Sequence, residues 1–485
     1  MYKCQKTLRV SFTLSIFAFV TGCSLAPDYQ RPDVLLGEYR HSENVQNNYS
    51  GDDNDEADYH WQSFVTDAEL RDLISLALAN NYDLRQTILN VEAARATYRI
   101  QRSERLPSVS AQANSVRQRL PEDLRPQGTP AVQSQYQMNL GIAQYELDLF
   151  GRIGSLSEAA MQEYLAEEEM VRAAELSLIA EVSRAYILRN SVLQRRGLAR
   201  ETLSVREESL ALIQQRLAAG AATELDYQQA LGLVQQVNVS LQQLEREVQQ
   251  STNALLLLLG NPAGIILHDD PMDGYMLVQN VQAGLPSDLL ERRPDIRAAE
   301  RRLISRNARI GAARAAFFPG ISLTGTVGNA SADLSDLFSS GQGAWSFMPV
   351  ISIPLFTAGR NKANLELAHI RKSMAIQSYE YAIQSAFTEV QNALAAATTL
   401  ADEEDARRTL LDTYSESRRL SELRYNAGMD DYLRYLEAQR SEFDARIGLV
   451  NTETERQLAL VSLFRSLGGG WRVVPTNDDE VKQGS

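Results

Sequence analysis

Asn81-Tyr82-Asp83-Leu84-Arg85 returns as Arg293-Pro294-Asp295-Ile296-Arg297, and Leu106-Pro107-Ser108-Val109-Ser110 as Phe318-Pro319-Gly320-Ile321-Ser322, each 212 residues farther along the chain. Leu149-Phe150 answers Leu355-Phe356, and Gly151-Arg152 answers Gly359-Arg360. The offset then settles at 208, where Arg216-Leu217-Ala218-Ala219-Gly220 corresponds to Arg424-Tyr425-Asn426-Ala427-Gly428, and Leu259-Gly260 to Leu467-Gly468. Agreement in order at these places makes the chain two copies of one plan. Each copy reads as helix, strand, turn, strand, long helix, tight turn and shorter helix.

Residues 360–427 form a run of 68 without glycine or proline, on the order of 100 Å of helix at about 1.5 Å per residue. The counterpart, 155–219, is interrupted by Gly197 alone. In each copy two shorter helices, 82–106 with 222–259 and 294–318 with 429–467, together match the long one, so the simplest packing lays them end to end beside it. Val234, Val237, Leu241, Leu244, Val248, Ser251, Leu255 and Leu258 recur in steps of three and four, the spacing of a coiled-coil seam. Leu433, Leu436, Arg440, Phe443, Ile447 and Val450 do the same in the second copy. The long helix adds the stripe Ile383, Phe387, Val390, Leu394 and Ala397. Such stripes are read as packing.

Four segments alternate as strands do: about 107–118, 134–148, 319–330 and 344–356. Val109, Ala111 and Ala113 oppose Ser110, Gln112 and Asn114, and Tyr136, Met138, Leu140 and Ile142 oppose Gln135, Gln137 and Asn139. Pro349 and Pro354 weaken the fourth as a central strand. Strands of this length can cross a membrane, with 119–132 and 331–343 as exposed loops. Four strands cannot close a barrel, and open edges are not tolerated in lipid. The chain must then oligomerise, and three copies are the smallest set that also supplies enough helices to enclose a lumen. The fold class is thus mixed and mainly α: a long helical coiled-coil barrel plus a short transmembrane β-barrel, formed by a trimer with two internal repeats per chain.

Residues 1–22 carry Lys3, Lys6 and Arg9, then an apolar run from Val10 to Val20, the layout of a secretory signal peptide. Val20-Thr21-Gly22-Cys23 looks like a bacterial lipobox, whose cysteine is acylated and becomes the first residue. The other reading is an ordinary signal peptide with an incidental cysteine. Ser24 in place of an acid favours sorting to the outer membrane. The remaining cysteine, Cys4, leaves with the signal, so no intramolecular disulfide can form in the mature chain.

The chain of 485 residues has a net charge of −14, which argues against the basic footprint that a nucleic-acid phosphate backbone requires and all but excludes nucleic acid as a partner. No nucleophile and base are paired, and no phosphate loop or metal spacing occurs; His41, His60, His268 and His369 are scattered. No enzyme activity, metal or cofactor is expected beyond a covalent lipid on Cys23. The run Glu167-Glu168-Glu169 reads as a solvated helix face.

With these features in place, the chain resembles the outer-membrane factors of tripartite efflux systems, the TolC-like family, and most closely its OprM-like lipoprotein branch. The resemblance covers nearly the whole chain. It is carried by Cys23-Ser24-Leu25-Ala26-Pro27-Asp28-Tyr29-Gln30-Arg31-Pro32, by Arg292 to Glu300, by Gly311 to Pro319, by Tyr425-Asn426-Ala427-Gly428 followed by Tyr432-Leu433 and Leu436-Glu437-Ala438-Gln439, and by Leu467-Gly468-Gly469-Gly470-Trp471. It implies a passive, gated exit duct in the outer membrane of a Gram-negative bacterium, lipid-anchored and reaching into the periplasm. Its implied partners are the bilayer, two further copies of itself, a periplasmic adaptor, and an inner-membrane pump of the resistance-nodulation-division type that chooses the cargo. The alternative is a structural periplasmic coiled-coil protein, held by lipid and never spanning the membrane.

The implied layout is a lipidated N-terminal and equatorial segment at 23–70, a first repeat at 71–260, an equatorial linker at 261–290, a second repeat at 291–468 and an equatorial tail at 469–485. The hairpin turns at Ala219-Gly220 and Ala427-Gly428 would meet the adaptor. Leu433 and Glu437, one helical turn apart, match the family's aperture, with Glu where Asp is commoner. Three copies of Glu437 around an axis would favour cations. Tyr425 and Asp226 resemble residues that lock neighbouring hairpins; Asp430 stands where TolC itself has an arginine.

Overall fold

The computed structural model describes residues 24–32, 61–260, 264–272, 274–279, 281–282, 292–469 and 472–473. Cys23, the signal peptide, His41, His60 and Trp471 lie outside the described residues. The helices are α1 (Trp61–Phe64), α2 (Ala68–Asn80), α3 (Tyr82–Ser103), α4 (Arg152–Ala218), α5 (Glu224–Leu258), α6 (Pro294–Ala315), α7 (Arg360–Asn426) and α8 (Tyr432–Ser466). The strands are β1 (Val109–Arg119), β2 (Val132–Leu147), β3 (Val281–Gln282), β4 (Gly320–Ser331), β5 (Gly343–Ser352) and β6 (Arg472–Val473). Two compact units arise, and they cut across the repeats: one holds residues 90–168 and 298–380 with the N-terminal segment, the other 35–89, 169–297 and 381–485.

In the first unit the strands form one antiparallel sheet in the order β1-β2-β4-β5. Val109 faces Ile142, Leu140 faces Val327 and Val327 faces Trp345, so these apolar residues of the four strands share one face, while Val116, Met348 and Val350 lie on the other. Gln112, Asn139, Gly328 and Ala344 are likewise in register on the other. A bulge between Ile142 and Tyr145 puts Gln144 at φ 52°, the extra residue that bends a strand and sharpens its twist. The fourth strand ends at Ser352 instead of 356, because Pro354 has no N–H for the ladder. Pro349 is accommodated because β5 is an edge strand.

The sheet joins its helices through compact corners. Asp148 accepts from the N–H groups of Ile153 (3.1 Å) and Gly154 (2.6 Å), capping α4, while Arg152 and Glu146 close the turn at 2.7 Å. Phe150 stacks on Phe318 with centroids 4.7 Å apart. Residues 25–31 run along α6: Arg314 donates to the Leu25 carbonyl, Asn307 to that of Pro27, and Glu300 takes Tyr29 and both forks of Arg31. Gly311 is required there, since a Cβ would come within 2.7 Å of the Ala26 nitrogen. Residues 24–32 belong with the sheet unit, and 61–70 with the other.

The second unit has a core of Phe64, Leu70, Ile74, Tyr186, Ile187, Leu255, Met276, Leu460 and Phe464 with their neighbours, and Phe64 stacks on Phe464 at 4.7 Å. Val65 bridges Leu277, and β3 pairs with β6. Of the first seam, Val234, Val237, Val248 and Leu255 are buried. The second seam departs from expectation: Leu436 is buried, whereas Leu433 is 51% exposed and Arg440 is solvated. The acidic run is also not a solvated face. Glu169 is buried and paired with Arg172 and Arg297, and in the sheet unit Glu167 pairs with Arg302 of α6.

Candidate functional site: the hairpin ends and the exit channel

Both long helices of the second unit end in the same way. Gly220 (φ 75°) and Gly428 (φ 70°) follow α4 and α7 in the left-handed region that only glycine enters freely. The N–H of Ala221 reaches the Arg216 carbonyl and that of Gly220 the Leu217 carbonyl. Met429 to Arg424 and Gly428 to Tyr425 repeat the pattern, which ties off the last helical carbonyls. Thr223 caps α5 and Asp431 caps α8. Ala219, Gly220, Ala427 and Gly428 are all exposed.

Tyr425 sits at the centre of the contact between the two hairpins. Arg216 donates to its hydroxyl and lies 4.9 Å above its ring, while Tyr435 stacks against it at 5.7 Å and Tyr432 tilts onto it at 5.5 Å. Burial, with Tyr425 and Tyr435 beside it, pushes the Tyr432 hydroxyl up to about 12. Asp226 takes no part in this contact. It closes a capping box with Thr223, accepting its N–H at 2.8 Å and its hydroxyl at 2.7 Å, and these two donors hold its carboxyl below the usual range. Within one chain the partner of Tyr425 is Arg216, not Asp226. Asp430 instead takes Arg424 at 2.5 Å across the α7–α8 turn.

Farther from the turns, Arg446 bridges Glu201 of α4 (3.3 Å) and the buried Glu442 (3.0 Å), and Arg418 adds a 2.5 Å contact to Glu442. Leu433 and Glu437 lie on one exposed face of α8, and the Glu437 carboxylate has no ion-pair partner among the described residues. A larger charged cluster escaped the sequence. Glu404, 1% exposed, accepts from Tyr275, Arg408 (2.5 Å) and Arg456 (3.0 Å), and Arg408 also holds Glu453. Burial, then Glu404, pushes the Tyr275 hydroxyl up to about 12. A carboxylate is costly to bury without partners, and the three donors that Glu404 gathers tie Tyr275 and its neighbours to α7 and α8.

In the sheet unit the polar face is concave near the loops, where Gln118, Gln133, Gln135 and Ala330 help line a hollow of about 360 Å³. The apolar face is exposed at Val109, Met138, Leu140, Val327, Trp345, Phe347 and Ile351. A water-soluble sheet does not leave such a face uncovered; a membrane barrel presents it to lipid.

A sheet with an exposed apolar face and a polar hollow, in a chain that also carries paired helical hairpins, defines an outer-membrane channel component. The profile described as "Outer membrane efflux protein" matches residues 73–261 and 285–469. The chain is 51% identical over 450 residues to the outer membrane protein OprJ of Pseudomonas aeruginosa, covering 93% of each. It is 44% identical over 475 residues to the toluene efflux pump outer membrane protein TtgF of Pseudomonas putida, covering 96% of this chain and 98% of that protein. Among solved structures, a membrane protein from Pseudomonas aeruginosa superposes with a TM-score of 0.85 at 51% identity, covering 93% of this chain and 98% of the other. The open state of the Neisseria gonorrhoeae MtrE outer membrane channel does so with 0.79 at 38% identity, covering 92% and 98%. The chain belongs to the outer membrane efflux protein family. It is the outer-membrane channel of an efflux pump, a transport component.

Proposed function

We propose that the working unit is a trimer, lipid-anchored through Cys23, that forms the passive exit duct of a tripartite pump. The observation that carries this reading is the four-stranded sheet with unpaired edges at β1 and β5 and one exposed apolar face. Four strands fall short of the roughly eight that close the smallest membrane barrels, so neighbouring chains must supply the rest. A periplasmic adaptor meets the exposed turns at Ala219-Gly220 and Ala427-Gly428, and an inner-membrane pump of the resistance-nodulation-division type supplies the energy.

In the closed duct, Leu433 and Glu437 form the aperture, with the hairpins of each chain held by Arg216 and Tyr425. The cargo is small organic molecules, in keeping with relatives named for toluene, solvent and antibiotic efflux. The mass of the detergent-solubilised assembly and its conductance in planar bilayers test the reading together. A conducting trimer is expected; a monomer that inserts nowhere would leave the structural periplasmic alternative in its place.

A further inference from the structure

We propose that Arg117 and Arg119 form a binding site for the phosphate groups of the outer-leaflet lipid. The proposal rests on the membrane placement of the sheet. Along all four long strands the only charged residues are Arg117, Arg119 and Glu146. Glu146 lies at the helix end of the sheet and is neutralised by Arg152. The two arginines lie at the opposite end, beside the loops. In register they face Ser134 and Val132, and they share the face of Val109, Ala111 and Ala113, the one that meets lipid. The strand positions on the polar face at that end, Gln118, Gln133 and Gln135, are neutral.

Depth follows from the same register. Trp345 lies on the apolar face level with Val327, Leu140 and Ala111, and Tyr136, which faces Ser115, lies four positions nearer the loops. Aromatic side chains on the lipid face mark the interface between hydrocarbon and headgroups. At about 3.4 Å per residue, Arg117 and Arg119 lie roughly 7 and 14 Å farther along the strand than Ser115. Both are exposed, and neither has an ion-pair partner among the described residues. A cation on the lipid face is costly at the midplane and nearly free at the interface. At that depth each guanidinium fork can take two phosphate oxygens.

Full-length protein in phosphatidylethanolamine vesicles, with and without bis-phosphorylated lipid A, provides the test. Retained lipid A is measured by mass spectrometry, and insertion by protease protection in the vesicles that lack it. R117Q/R119Q is expected to insert like the wild type but to bind lipid A about 25-fold more weakly, about fivefold per cation, with R117K/R119K losing only part. Equal binding by the wild type and R117Q/R119Q, or equal binding of lipid A and its dephosphorylated form, overturns the proposal. Failure of the wild type to insert without lipid A would instead remove the membrane placement on which the site depends.

Discussion

Asn81 and Arg293 stand at the same position of the two repeats, and each donates to the end of the shorter helix that follows in its own repeat: Asn81 to the Leu258 carbonyl at 2.9 Å, Arg293 to the Ser466 carbonyl at 3.0 Å. Both are buried. The junction needs a donor for a carbonyl that its helix leaves unpaired, and two unlike side chains meet that need. Asn81 also caps α3 through the Leu84 N–H, whereas Arg293 spreads to Asp295 and Glu389. Asn81→Ala is expected to cost about 1 kcal/mol and Arg293→Ala about 2–3 kcal/mol, read by urea unfolding of the detergent-solubilised protein. No loss in either would show that these junctions do not hold the short helices.

Opening of the duct should respond to the Arg216–Tyr425 contact in graded steps. Tyr425→Phe removes the hydrogen bond and keeps the ring beneath the guanidinium; Arg216→Leu removes both. Single-channel conductance should rise in both, more in Arg216→Leu, with the cation–π part worth about 0.5–2 kcal/mol. If neither variant changes conductance, the hairpins are held elsewhere.

Leu433→Ala with Glu437→Ala should raise conductance and lower cation preference if these two exposed side chains form the proposed aperture. Reversal potentials in a salt gradient give the selectivity. A double variant that conducts and selects like the wild type would move the aperture to other residues.

At the hairpin turns, Gly220→Ala and Gly428→Ala are expected to destabilise by about 1 kcal/mol each because of their positive φ. Space is not the reason, as nothing lies within 4 Å of either added Cβ. Tryptophan at the exposed Ala219 or Ala427 should block adaptor crosslinking and leave trimers intact; crosslinking that survives at both sites would place the adaptor elsewhere.

The lipid on Cys23 is tested by labelled palmitate, which the wild type should incorporate and Cys23→Ser should not. Because the sheet provides its own membrane attachment, the substitution should reduce assembly without abolishing it. Equal labelling of the two proteins would remove the anchor.

The repeat, the long helices and the four strands were legible because glycine, proline and strict alternation are local signals. Strand ends shifted by a few residues, as at Ser352, where the ladder decides. The pairing of Tyr425 with Arg216 was hidden, since residues 209 apart in sequence meet only after both hairpins fold. So was the burial of Glu404, Glu442 and Glu169, because a carboxylate on a helix looks solvated until its arginines arrive. Asp226 had a legible local role that was overlooked: Thr223 three residues before an acid is a capping-box spacing.

Register also sets an order of events during synthesis. β1 and β2 are neighbours in sequence and can pair as a hairpin at once, but the inner edge of β2 is completed only by β4, with Tyr136 waiting for Ser331. All of α4 and α5 is made between them. During that interval a strand edge and an apolar face stand bare in water, the condition that invites misassembly. Secretion of this chain should therefore depend on periplasmic chaperones that shield the first hairpin until the second repeat emerges.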